Sequence, residues 1–133
     1  MIVEKTKKHR VPIEDTYTYL RVGSKHQGTY IDKSQIIYIK ACESYAWLYL
    51  KDGSKILSSK TIGFYEQLFC DDNFSRIHRS YLINLSHVKQ YEPRYRLMYL
   101  HGEHVLPVSH RKNRVIAKMT RTQETNMPFK MAV

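Results

Sequence analysis

The stretch "SYAWLYLKDGSKILS", residues 44–58, can adopt few conformations. Ala46, Leu48 and Leu50 alternate with Tyr45, Trp47 and Tyr49, so a period of two puts an aliphatic set on one side and an aromatic set on the other. A helix would scatter both sets around its axis, whereas a strand separates them. Asp52-Gly53 supplies residues suited to a tight reversal, and a second short run follows from Lys55. A hairpin here commits the chain to sheet.

The flanking segments agree. "TYTYLRV" and "GTYID" are rich in Tyr, Thr and Val, "QIIYIKA" reads as a buried strand, and "HVKQYE" and "RYRLMYLHGEHVLPV" alternate around turns near Pro93 and at Gly102. Helical spacing appears at Ile62, Tyr65 and Phe69, with Phe64 and Leu68 beside them. It predicts a helix over about residues 60–70, capped by Ser58 or Ser59 and ended by Asp71-Asp72-Asn73. A second helix is expected from Ser109 in "LPVSHRKNRVIAKM". The expected fold is mostly antiparallel β, a meander-like sandwich with one or two short helices. A chain of 133 residues suits one domain: a polar tail or linker stub over 1–15, the folded unit over 16–119 and a C-terminal tail over 120–133.

Several classes of function drop out. No apolar run reaches the roughly 18 residues of a membrane span, and residues 1–10 lack a signal-peptide core, so a cytoplasmic location is expected. Cys42 and Cys70 form no CxxC pattern and sit in stretches that read as half-buried, which suggests reduced, packed thiols. His101 and His104 are close in sequence, but without Cys pairs or HExxH neither metal nor cofactor is expected. There is no nucleophile elbow and no phosphate-cradling glycine loop, so a binder is expected and not an enzyme.

Charge says what is bound. The chain carries +10, and residues 76–118 hold nine Lys/Arg against two acids together with five of the seven histidines. A positive field gathered on one part of a small domain attracts polyanions, above all nucleic acid. "FSRIHRSYLINL", residues 74–85, spans the start of this region. Phe74, Ile77, Leu82, Ile83 and Leu85 are suited to anchoring the segment in a core, leaving Arg76, His78, Arg79, Ser80 and Asn84 to project from it. Base-edge readout needs donors held in register, as Arg does for guanine and Asn for adenine. One of Arg76 and Arg79 is free to pair instead with Glu66, Asp71 or Asp72.

The second cluster opens the C-terminal helix. His110, Arg111 and Lys112 fill its first turn, where the helix dipole disfavours each cation by roughly 0.3–1 kcal/mol. Unpaired amide N–H groups and added cations there suit an incoming phosphate. The loop "ESY" at Glu43–Tyr45 is a third candidate. Two rivals stay open: a single-stranded DNA or RNA module, which would expose Tyr45, Trp47 and Tyr49 together as a stacking face, and a basic domain that binds acidic proteins.

"FSRIHRSYLINLSHVKQYEP" followed by "YRLMYLHGEHVLPVSHRKNRVI" resembles the LytTR-type DNA-binding domain of bacterial response regulators, and "IIYIKACESYAWLYLKDG" matches that family's early strand pair, so the likeness spans about residues 17–118. The resemblance implies an elongated fold of about ten strands in antiparallel sheets. It also implies transcriptional regulators whose protomers pair on direct repeats of double-stranded DNA, reach into successive major grooves and bend the duplex. Carried over, it makes Ser44, Tyr45, His78, Arg79, His110 and Arg111 base-contact candidates, and Lys60, Arg76, Ser80, Ser109, Lys112 and Arg114 phosphate-contact candidates. His110 stands where many members carry arginine. Fifteen N-terminal residues cannot form a receiver domain, so either the regulator stands alone or it belongs to a longer system with a receiver or sensor-kinase partner.

Overall fold

The computed structural model describes residues 19–24, 26–122 and 130–131. The segment 1–15, expected as a tail, lies outside the described residues, as does much of 120–133. Among the described residues, eleven strands form three sheets, accompanied by two α-helices. β1 (Tyr19–Gly23) and β2 (Gly28–Asp32) make a hairpin. β3 (Ile36–Cys42), β4 (Tyr45–Leu50), β5 (Lys55–Ser58), β6 (Phe74–His78) and β7 (Tyr81–Asn84) make the central sheet, in the order β5-β4-β3-β7-β6. β8 (Val88–Glu92), β9 (Leu97–Leu100) and β10 (His104–Pro107) make the third sheet, with the two-residue β11 (Lys130–Met131) lying parallel to β8 at its edge. Helix α1 (Ile62–Leu68) joins β5 to β6, and α2 (His110–Thr122) follows β10. Among the described residues no helix is long and apolar enough to cross a membrane.

The central sheet is buried on both faces. One face, with Leu20 and Val22 of the β1–β2 hairpin and Ile62, Tyr65 and Phe69 from α1 and its end, encloses Ile36, Ile39, Ala46, Leu48 and Leu82. The other packs Ile37, Tyr38, Ile77 and Ile83 against Val88, Tyr91, Met98, Leu100 and Leu106 of the third sheet. A bulge between Ile36 and Tyr38 lets β3 contribute four successive buried residues, as "QIIYIKA" suggested. The alternation in β4 is as expected: Ala46, Leu48 and Leu50 are buried on the α1 side, and Tyr49 packs on the other. Gly53, at φ 90°, makes the reversal, and Asp52 Oδ1 accepts from the amide of Ser54 at 2.9 Å.

Three readings need correction. The cap of α1 is Thr61, whose Oγ1 accepts from the Phe64 amide at 3.1 Å. Ser58 is instead buried and accepts from the Tyr65 hydroxyl at 2.6 Å. Cys42 and Cys70 are free thiols but exposed, because each lies at the rim of an element where its side chain misses the core. Asn84 does not project: it is buried, donates to Ile36 O at 3.0 Å and accepts from Ser86 N at 3.0 Å, tying β7 to β3 and starting the turn toward β8.

Candidate nucleic-acid interface

The topology gathers the candidate segments at one end. β7 runs antiparallel to β3 with Tyr81 opposite Lys40, so the β6–β7 turn at Arg79-Ser80 lies beside the β3–β4 turn at Glu43-Ser44. The Ala41 amide donates to Ser80 O at 2.9 Å and fixes the two turns side by side. Ser58 pairs with Ala46, bringing Lys60 to this end as well. The entry to α2 is pinned to β6, since the Ser109 amide donates to Ile77 O at 2.9 Å. Ser109 then caps the helix, its Oγ accepting from Lys112 N at 3.2 Å.

These constraints put His78 and Arg79 against Ser109, Arg111 and Lys112 around an open groove of about 370 Å³, with Arg76 on its wall. Arg79 and Arg111 therefore share one surface, and among the described residues neither guanidinium has a carboxylate partner. The first turn of α2 holds no acid to offset its cations. Such unpaired charge at a helix N-terminus favours a bound anion.

Arg76 is placed differently. Its Nε donates to His78 O at 2.9 Å, one terminal nitrogen donates to Arg79 O at 2.5 Å, and the other meets Glu66 of α1 at 2.6 Å. Three of its donors are thus committed within the protein, where they hold the backbone that presents Arg79. His78 is also oriented: its Nδ1 accepts from the Ser80 amide at 3.0 Å, so the neutral ring carries its proton on Nε2 and presents a donor. His110, Arg111 and Arg114 are exposed on α2, and Ser44 and Tyr45 are exposed at their turn. Lys60 lies 5.1 Å from the centre of the Phe64 ring.

The aromatic face of β4 is not an open platform. Tyr45 is 48% exposed, but Lys55 covers Trp47 at 4.4 Å and Tyr49 stacks on Tyr38 at 4.4 Å. His104 also joins this cluster, 5.0 Å from the Tyr38 ring. Among the described residues no group of three or more His, Cys, Asp or Glu is arranged to hold a metal ion. A larger depression, about 470 Å³, lies at the opposite end of the sheet. Within it Lys33 pairs with Asp72 at 2.9 Å, and His87 Nε2 donates to Ser34 O at 2.7 Å.

A family model described as the LytTr DNA-binding domain matches residues 27–121, which include every strand from β2 to β10 and nearly all of α2. The chain belongs to the LytTR family of DNA-binding domains. A solved LytTr DNA-binding domain of a methyl-accepting/DNA response regulator from Bacillus cereus is similar in fold. Its TM-score is 0.66 at 19% identity, over 77% of this chain and 95% of that one. No curated protein matches the sequence significantly. As a LytTR domain the chain falls in a DNA-binding family, not an enzymatic one, and the expected mostly-β fold is the one found.

One contributor escaped the reading of the LytTR sequence. Arg96, at φ 55°, donates from Nε to Val108 O at 3.3 Å while its own carbonyl accepts from Val108 N at 2.8 Å, which holds the approach to α2. Only a pairing of β8–β9 with the segment after β10 reveals this, and no local pattern encodes it.

Proposed function

We propose that this LytTR domain is a sequence-specific transcriptional regulator that reads double-stranded DNA in the major groove. The unit that binds spans about residues 16–119. The observation that carries the reading is the groove that unites His78 and Arg79 with Ser109, Arg111 and Lys112, two segments distant in sequence. Arg79 and Arg111 have the freedom and the geometry to grip guanine edges, with His78, His110, Ser44 and Tyr45 at adjoining bases. Ser80, Ser109, Lys60, Lys112 and Arg114 serve the phosphates, which position the duplex without reading it. Arg76 supports the reading turn from within. Two protomers on direct repeats would present this end to successive grooves, and a bend in the duplex would bring both into register.

Fluorescence polarisation on a duplex selected from a random pool, against a scrambled duplex, tests the reading. Arg79→Ala and Arg111→Ala are expected to cost about 1–3 kcal/mol on the selected duplex and to relax discrimination at particular base pairs. Lys112→Ala should weaken both duplexes alike. Equal losses on both duplexes for all three variants would contradict base readout.

A further inference from the structure

The sequence "EPRYR" joins β8 to β9, and its four-residue turn is held from several directions. The Arg96 amide donates to Pro93 O at 3.3 Å, and the Glu92 carboxylate accepts from the backbone amide of Arg94 at 2.6 Å. Arg96 is bonded to Val108 through both its backbone and its guanidinium. Val108 leads directly into Ser109, the cap of α2, which is itself bonded to β6. The tip of this turn is therefore a rigid neighbour of the helix entry that lines the groove.

Arg94 and Tyr95 occupy the tip. Tyr95 is 67% exposed, more than any other large hydrophobic side chain among the described residues, and the Arg94 guanidinium lies 6.0 Å from its ring. Glu92 is engaged by a backbone amide, and Arg94 has no ion pair among the described residues. The fold draws little burial from this ring and no ion pair among the described residues from this guanidinium. A lone exposed ring among polar neighbours is too small for a stable protein contact, which needs about 800 Å² per partner. A guanidinium beside a ring does suit a phosphate and the adjoining sugar.

We propose that Arg94 and Tyr95 form a further DNA contact, outside the groove on the α2 side. Arg94 grips a backbone phosphate that flanks the recognition site, and Tyr95 lies against its sugar. The inference rests on the reading of the groove as the DNA-contacting surface, and it lengthens the footprint without adding sequence information.

The test uses the selected and scrambled duplexes across a salt series, with Arg94→Ala, Arg94→Lys and Tyr95→Ala; thermal melts confirm that each variant keeps the fold. Arg94→Ala should weaken binding roughly three- to tenfold on both duplexes and flatten the slope of log affinity against log salt by about 0.9, while Arg94→Lys keeps the slope. Tyr95→Ala should weaken both duplexes with the slope unchanged. Trimming the selected duplex from one end should lower wild-type affinity at least to that of Arg94→Ala on the full duplex and make the two proteins equal on the trimmed one. If Arg94→Ala matches wild type in affinity and slope while Arg79→Ala still loses discrimination, this inference is overturned and the groove reading stands. If wild type itself binds both duplexes equally, the groove reading fails and takes this inference with it.

Discussion

Replacing Arg76 separates two roles that its sequence position leaves open: a phosphate contact, or a brace for the turn that carries Arg79. The Arg76 side chain is 19% exposed and that of Glu66 is 47% exposed, so their ion pair is half in solvent and worth at most about 1 kcal/mol. The bonds to His78 O and Arg79 O are charge-assisted, but both carbonyls can rehydrate once released, which limits each to about 1 kcal/mol net. Arg76→Ala should therefore cost about 2 kcal/mol of stability, and Glu66→Gln about 0.5 kcal/mol because the amide still accepts a hydrogen bond. The released turn must be reordered on DNA, at about 1–2 kcal/mol per residue fixed, so affinity for the selected duplex should fall roughly tenfold. Non-specific binding should change little. Polarisation across a salt series, with a thermal melt of each variant, measures both effects. A brace lowers the ratio of specific to non-specific affinity and leaves the salt slope alone. If Arg76→Ala preserved that ratio and flattened the slope by about one phosphate, the residue would be meeting DNA and the bracing argument would be wrong.

Three stability predictions follow from the buried polar groups. Tyr65→Phe removes a buried hydrogen bond to Ser58 and should cost about 1 kcal/mol, whereas Tyr91→Phe should be neutral or stabilising, because the Tyr91 hydroxyl is buried with no partner among the described residues. Urea denaturation ranks the two, and an equal loss for both would count against the assignment. Asn84→Ala leaves Ile36 O and Ser86 N without their partner and should cost about 2–3 kcal/mol by the same measurement; a change below 0.5 kcal/mol would rule out the buried tie. Burial pushes the phenols of Tyr65 and Tyr91 up to about 12, and pushes Tyr38, crowded by Tyr49 and Tyr81, further still. Because these pKa values are raised on folding, the folded state holds protons that the unfolded state releases. The associated stability is intact below about pH 10 and is lost as pH rises through about 12. Circular dichroism recorded with tyrosinate absorbance should show the buried phenols ionising only as the fold is lost; their ionisation in a native spectrum near pH 10 would refute this.

Much of the architecture was legible in the chain because nearest neighbours decide it. The alternation in β4, the Asp52-Gly53 reversal and the apolar spacing of Ile62, Tyr65 and Phe69 each encode a local geometry, and each is found. The apolar anchors of residues 74–85 were legible for the same reason: Ile77, Leu82 and Ile83 are buried, and Phe74 stacks on Phe69 at 4.4 Å. The site was less legible. Asn84 looked like a donor for bases because its type suits that task, yet its place at the far end of β7 puts it inside the protein. Arg76 and Arg79, three residues apart, have opposite environments, and only the position of α1 and Glu66 distinguishes them.

Sequence alone determined that this chain forms sheets from short alternating strands and that its positive charge is concentrated after residue 75, since periodicity and composition are properties of the chain itself. Tertiary structure decided that β3 takes β7 as its second neighbour and that the entry to α2 is pinned to β6, and so that Arg79 and Arg111 meet around one groove. That choice depends on which of several apolar faces buries which, a competition settled between elements far apart in the chain and invisible within any one of them.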